Sequence, residues 1–457
     1  MPFSRTRTGC FTCREDGYKC DEQKPFCGRC IRLHKTCKGY GVKLKWQTPQ
    51  GPRSKVTNKG KRQRRSSTRS NESASAASAA SSPSADSVVS LTRLDSPITP
   101  NEVEPAHRYL LNHWSTTLAT MVSMSSAHRN PFLIHLTPMV AHSTALRSVL
   151  CSIAACHLAV LKNDAFFHTL AEKYQLVAVS SLRQTIQTED PQLSLATILM
   201  LQVSDRLFTM DSGVDHLSGA KAIIKKGGAS TWNSSSASFL LSMCFYHDIL
   251  ASVSRGARPV LDFKGLFPIE GMESMKELTS VLQIVGRISR MQGQDRETYD
   301  AQGRAIEEKL AALDHVQPAT GGDDVGHTVQ AYKHAAFIYL YRIYHNRGVP
   351  HPSAMMHVRN CLIHLGAVPV TSPLASAQVW PLWTAGCESV DLDQRQIVCD
   401  RIDAMYEARH LPSLRRIKQD IEEVWLSKDE QRNLIGVDNV DCIKVILEKR
   451  QREADLA

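Results

Sequence analysis

Six cysteines in the first 37 residues form a repeat. Cys10, Cys13 and Cys20 are spaced C-x2-C-x6-C, and Cys27, Cys30 and Cys37 repeat that spacing, each seventeen residues after its counterpart. Core packing demands no such register. Two matched sets of thiols this close together point to metal, and a metal core strongly limits what so short a segment can fold into.

The surroundings of the repeat support that reading. The start, MPFSRTRTGCFTC, has no apolar segment of the kind that directs secretion. No uninterrupted apolar run reaches the ~18–20 residues of a membrane span; the longest runs from about Leu195 to Val203. We therefore expect a soluble intracellular protein with no membrane partner, in which clustered cysteines bind metal rather than form disulfides. Residues 1–70 hold 19 Lys and Arg against 4 Asp and Glu, a balance of +15 that leaves about −5 of the total +10 for the rest. A basic head on a mildly acidic body suggests that the head meets a polyanion, although a basic tail for surface attachment gives the same balance.

Zinc takes four ligands in a tetrahedron, so two ions need eight sulfur contacts. Six cysteines supply them if two sulfurs bridge. The two-residue spacing lets each C-x2-C pair turn onto one ion, and each six-residue interval has room for a short helix. Two Zn²⁺ and six thiolates sum to −2, which Arg14, Lys19, Arg29, Arg32, Lys35 and Lys38 stand close enough to offset. A single zinc on Cys10, Cys13, Cys27 and Cys30, with Cys20 and Cys37 left over, is the first competitor. A disulfide framework is the second. The repeat favours two structural zinc ions, each closed by four sulfurs with no position open to water.

Three regions follow from the composition. Residues 1–45 form the cysteine domain. Residues 46–102 are basic and then rich in Ser and Ala, with too little apolar surface to offset chain entropy, and read as a disordered linker. The run from Lys59 to Arg65 (Lys59, Lys61, Arg62, Arg64, Arg65) reads as a nuclear localisation signal, with a DNA-backbone arm or a solvated run as alternatives. Val42, Leu44, Trp46 and Val56 make no heptad series, so no coiled-coil dimeriser is expected there. Residues 103–457 read as an α-helical domain. Leu110, Trp114, Leu118 and Met121 make one stripe, and Leu146, Val149, Leu150, Ile153, His157 and Leu161 another. Further helices are expected at 166–186, 193–208, 214–226, 236–254, 272–290, 298–314, 327–346, 353–365 and 391–426, with Asp190-Pro191, Gly227-Gly228, Gly321-Gly322 and Pro350 to Pro352 as punctuation.

GCFTCREDGYKCDEQKPFCGRCIRLHKTCKGY resembles the fungal binuclear zinc cluster (Zn2Cys6) of transcription factors. All ligand spacings match, as do Asp21 and Pro25. The resemblance implies that Cys10 and Cys27 bridge both ions, that Cys13 and Cys20 complete one, and that Cys30 and Cys37 complete the other. It also implies docking in the DNA major groove at CGG-type triplets. NPFLIHLTP, CSIAACHLAVL, VDHLSGAKAII and VWPLWTAGCES are similar to the helical regulatory domain found in such factors.

One stretch departs from that pattern. The family usually shows C-R-x-R-K-x-K-C, whereas this chain has Asp16 where a basic residue is usual and Gly17 where the base-reading lysine is usual. Glycine offers guanine no side-chain donor, and a carboxylate facing phosphates is repelled. Arg5, Arg7, Arg14, Lys19, Arg29, Arg32, Lys35 and Lys38 are the expected DNA contacts, because phosphate contacts dominate affinity. His357, Cys361 and His364 share one helix face and, like Cys151, Cys156 and His157, read as packing residues rather than a second metal site. G-x-S-x-G, Walker A, G-x-G-x-x-G and H-E-x-x-H are all absent. The expectation is a nuclear transcription regulator of RNA polymerase II genes, acting on duplex DNA with co-regulators as further partners. It is not expected to be an enzyme. Control of a metabolic gene set, such as a specialised-metabolite cluster, is the implied role, with atypical CGG recognition. A co-regulator whose altered cluster binds protein is the alternative.

Overall fold

The computed structural model describes residues 9–23, 27–33, 35, 37, 105–123, 130–209, 214–261, 276–313, 324–435, 440–454 and 456. The expected linker, the basic run from Lys59 to Arg65, the missing heptads and Gly321-Gly322 lie outside them.

The cysteine region holds two short helices, α1 (Phe11–Glu15) and α2 (Gly28–Arg32). Its buried interior consists of the sulfurs of Cys10, Cys13, Cys20, Cys27 and Cys30, with Cys37 packed against them. Among the described residues the larger apolar side chains Tyr18, Ile31 and Leu33 are exposed, so the cysteines and the metal they can hold take the place of a hydrocarbon core.

The body is helical, and among its described residues there is no strand. Its first helices are α3 (Pro105–His113), α4 (Ala119–Val122) and α5 (Thr137–Val140), with π-turns at Trp114–Leu118 and Phe132–Leu136. Leu110, Trp114 and Leu118 are buried as the first stripe predicts. A helical hairpin follows, α6 (Thr144–Lys162) on α7 (Ala165–Thr185). Its turn is chemically explicit. Asn163 ends α6 in the left-handed region at φ 49°, and the Asp164 carboxylate accepts the Phe166 N–H at 2.9 Å to start α7. Asp190 caps α8 (Pro191–Phe208) in the same way, with Pro191 at its first position.

The helices that then follow are α9 (His216–Thr231), α10 (Ser235–Arg255), α11 (Lys276–Met291), α12 (Arg296–Leu313), α13 (Asp324–Ile343) and α14 (Pro352–Ala367). Gly228 kinks α9 with φ 69°, where the Gly-Gly pair predicts a break. The chain closes with α15 (Val379–Cys387), α16 (Leu392–Arg409), α17 (Pro412–Ile435) and α18 (Cys442–Val445). Every residue of α8 from Ser194 to Asp205 is buried, and α10 and α13 are buried over most of their length. Helices hydrophobic all round form a centre. Amphipathic helices cover them, such as α16, which buries only Val398, Ile402, Met405 and Arg409 on one stripe.

Two expectations need correction. The stretch 391–426 is two helices, not one, because His410 turns left-handed at φ 53° and Pro412 starts α17. Proline lacks the N–H that would continue α16, so Pro412 was the available signal. Second, a search for uninterrupted apolar runs overlooks α6 and α10. Both are long and apolar enough to cross a membrane, with mean hydropathy 1.7 and 1.2. Small Ala, Ser and Cys residues break their runs without lowering the mean. They are nevertheless core helices, 72% and 83% buried inside the body.

Candidate metal centre and nucleic-acid interface

Each short helix begins at a cysteine that is both cap and ligand candidate. Cys10 Sγ accepts the Cys13 N–H at 3.4 Å, and Cys27 Sγ accepts the Cys30 N–H at 3.3 Å. Each helix ends alike too, with Tyr18 N–H donating to the Cys13 carbonyl and Lys35 N–H to the Cys30 carbonyl, both at 2.9 Å. The seventeen-residue repeat thus extends from cysteines to backbone hydrogen bonds, and two equivalent helical turns face one another.

Four sulfurs, Cys10, Cys13, Cys20 and Cys27, lie within 4.8 Å of one another, and so do Cys10, Cys27, Cys30 and Cys37. Cys10 and Cys27 belong to both sets. Their sulfurs are 3.6 Å apart, Cys13 to Cys27 is 3.6 Å, and Cys10 to Cys30 is 3.8 Å. A zinc tetrahedron with bonds of about 2.3 Å has edges of about 3.8 Å, so the donor set fits two zinc ions sharing two sulfurs. Without an ion, burial raises the Cys10 and Cys30 thiols and pushes Cys27 up to about 12. Metal binding therefore has to displace protons.

Carboxylates tie the halves together. Asp21 lies between them, its Oδ1 accepting the Gly28 N–H at 3.1 Å and its Oδ2 the Arg29 N–H at 2.9 Å. Burial works to raise its carboxyl, but the N–H groups of Gln23, Arg29 and Gly28 hold it below the usual range. A Cβ on Gly28 would stand 2.9 Å from Asp21 Oδ2, which is why glycine follows Cys27.

Asp16 makes the second tie. Its Oδ2 accepts from Lys35 Nζ at 2.8 Å and Arg29 Nη1 at 3.2 Å. Those hydrogen bonds hold its carboxyl below the usual range. Rather than standing alone toward phosphate, as the sequence suggested, Asp16 pairs with two of the expected DNA contacts. Arg29 is held further by Cys13 Sγ at 3.7 Å and by the Tyr18 ring, 4.2 Å from its guanidinium, and its side chain is only 15% exposed. Gly17 has φ 77°, the left-handed cap of α1. Its N–H donates to the Arg14 carbonyl while Tyr18 bonds to Cys13, which together make a Schellman ending. Glycine here serves the backbone as well as removing a side chain.

Of the expected DNA contacts, Arg14, Lys19, Arg32 and Lys35 are exposed. Arg29 is occupied, and Arg5, Arg7 and Lys38 lie outside the described residues. Sequence reasoning missed the roles of Asp16, Tyr18 and Asp21 as internal ties, since no spacing rule brings positions 7 to 19 residues apart together across two separate helical turns. In the body, His357 bonds to His334 at 2.9 Å, His364 to His327 at 3.0 Å, and Cys361 donates to the Ala331 carbonyl at 3.4 Å. His157 bridges His113 and the Arg409 carbonyl, both at 2.9 Å.

A thiolate-built two-ion cluster at one end and an all-helical body define a zinc-cluster regulator. Comparison with known proteins agrees. Residues 8–47 match the fungal Zn(2)-Cys(6) binuclear cluster domain, and residues 109–453 match the fungal specific transcription factor domain. The chain belongs to this family of fungal transcription factors, which are not enzymes. It is similar to arginine metabolism regulation protein II of Saccharomyces cerevisiae, 46% identical over 49 residues, covering 11% of this chain and 6% of that protein. It resembles pestheic acid cluster transcriptional regulator 3 of Pestalotiopsis fici at 44% identity over 54 residues, covering 12% and 10%. Transcriptional activator protein UGA3 of Saccharomyces cerevisiae is 22% identical over 192 residues, 40% of this chain and 36% of that one. The matches thus span a tenth or less of the first two relatives and about a third of the third. No solved structure matches the chain.

Proposed function

We propose that the six cysteines hold two structural zinc ions and that this head places the protein on duplex DNA in the nucleus. In this reading Cys10 and Cys27 bridge, Cys13 and Cys20 close one ion, and Cys30 and Cys37 close the other. The observation that carries it is the pair of four-sulfur sets sharing Cys10 and Cys27. Residues 1–45 act as the DNA-binding domain, 46–102 as the tether carrying the nuclear signal at Lys59 to Arg65, and 103–457 as the regulatory domain that meets co-regulators.

Binding rests on phosphate contacts from Arg14, Lys19, Arg32 and, in part, Lys35, with Arg5, Arg7 and Lys38 as further contacts. Base reading differs from the CGG pattern, because Gly17 offers no donor and Asp16 occupies Arg29 and Lys35. That pairing also supports the second reading, a co-regulator whose cluster contacts protein. The genes are a metabolic set transcribed by RNA polymerase II. A specialised-metabolite cluster is the narrower reading, supported by the name of the Pestalotiopsis relative. Genome-wide mapping of bound sites in the native cell tests this. Enriched sites upstream of a co-regulated metabolic set support it; such sites together with no salt-dependent binding of the zinc-loaded protein to duplex DNA in vitro support the co-regulator instead.

A further inference from the structure

The helical body contains a cavity of about 70 Å³, measured as the space open to water centres, with walls that include Phe132, Val203, Met243 and Leu414. One water needs about 10–15 Å³ on that measure, so the space suits a small organic molecule. Polar side chains interrupt the apolar lining: Tyr246, Ser376 and Ser413, and the two nitrogen-bearing groups His247 from α10 and Arg409 from the end of α16.

Both lack what a buried polar group requires. Among the described residues neither ring nitrogen of His247 has a hydrogen-bond partner, although the residue is 4% exposed. Arg409 is 5% exposed, and among the described residues it donates to three neutral oxygens: Ser376 Oγ at 3.1 Å, the Ser372 carbonyl at 2.8 Å and the Val370 carbonyl. Among the described residues no carboxylate lies within ion-pair distance of it. A buried guanidinium without a counter-charge is costly, and an orphaned imidazole adds to that cost.

We propose that this cavity binds a small apolar monocarboxylate, whose carboxylate offsets the Arg409 charge and accepts the His247 N–H while its hydrocarbon body fills the apolar walls. Burial pushes His247 down to about 3, so its imidazole is neutral and offers one N–H and one lone pair. The positive charge that selects an anion is therefore Arg409. Apolar walls with a few converging polar groups are the usual make-up of a ligand site. Such a site lies in the body and makes no use of the zinc cluster, so it stands or falls apart from DNA binding.

The test is titration of the zinc-loaded full chain with straight-chain acids from butanoate to octanoate, followed by calorimetry and thermal melting. Hexanol and hexylamine serve as controls of matched length. At least one acid should bind saturably and raise the melting temperature. Hexanol should bind about tenfold more weakly and hexylammonium not at all. His247→Leu removes an orphaned polar group, so it should fold and bind the acid about tenfold more weakly. If His247→Leu fails to fold, Met243→Trp fills the cavity instead and should abolish acid binding. Absence of binding by every acid, equal binding of acid and alcohol, or undiminished binding by the variant that folds would overturn the proposal.

Discussion

Replacing Asp16 by Asn should make the head bind duplex DNA with steeper salt dependence. In the structure one carboxylate oxygen holds Lys35 Nζ at 2.8 Å and Arg29 Nη1 at 3.2 Å. Arg29 stays engaged without it, through Cys13 Sγ and the Tyr18 ring. Lys35, with a side chain 47% exposed, becomes available to phosphate. One added phosphate contact changes the slope of log K against log salt by about −0.9. The assay is fluorescence anisotropy on a labelled duplex across a range of salt concentrations, with zinc content confirmed at two ions per chain. A slope steeper by about one unit, with tighter binding at low salt, is the expected result. An unchanged slope in a fully zinc-loaded variant would refute the idea that Asp16 withholds a cation from DNA.

Other consequences follow from the same geometry. Gly17→Lys, the change that restores the residue usual in the family, should destabilise the head by about 1 kcal/mol because φ is 77°, and a chelator titration would show earlier zinc loss. Removing zinc should unfold the head while the helical signal of the body persists in circular dichroism. Glu388 is fully buried between Arg342 at 2.5 Å and Lys428 at 2.6 Å, so Glu388→Gln should cost about 3–5 kcal/mol in urea unfolding. Burial works to raise its carboxyl, but the two cations outweigh it and hold it below 4.5; its contribution is present above that pH and is lost as pH falls through the lower folded value. Burial lowers His157 to about 4 and His247 to about 3, so each favours the folded state above pH 6.5 and loses that stability as pH falls below it. His247→Leu should flatten the acid limb by up to about 1.4 kcal/mol per pH unit in stability curves between pH 6 and 4.

The candidate ligand set and most of the helices are legible because their signals are local. A cysteine spacing repeats within 37 residues, and a stripe such as Leu110, Trp114 and Leu118 repeats within three turns. Helix α15 was not found by periodicity. Its residues from Trp380 to Cys387 are all buried, so no polar face exists to mark a period. The boundary between α16 and α17 is signalled by Pro412, and the buried stripe moves to another helical face across it, from Val398, Ile402 and Met405 to Leu414, Ile417 and Ile421.

Ties between distant residues left no trace in the sequence. Glu388 meets Lys428 forty residues later, and His247 and Arg409 line one cavity from helices far apart in the chain. The cluster shows the limit most plainly. Its candidate ligands are readable from spacing alone, whereas the partners of Asp16 depend on how the two halves fold onto one another. Gly17 was legible as a missing side chain; its left-handed backbone became visible only with the helix end in place.

The central claim is that a zinc-dependent head places this chain on DNA. The most direct measurement is equilibrium binding of the zinc-loaded full chain to duplex DNA as a function of salt, repeated after chelation. Three exposed cations that Asp16 does not hold, Arg14, Lys19 and Arg32, predict a slope of log K against log salt of about −2.7 or steeper, abolished when zinc is removed. No binding at low salt by fully loaded protein, or binding that is indifferent to chelation, would contradict it.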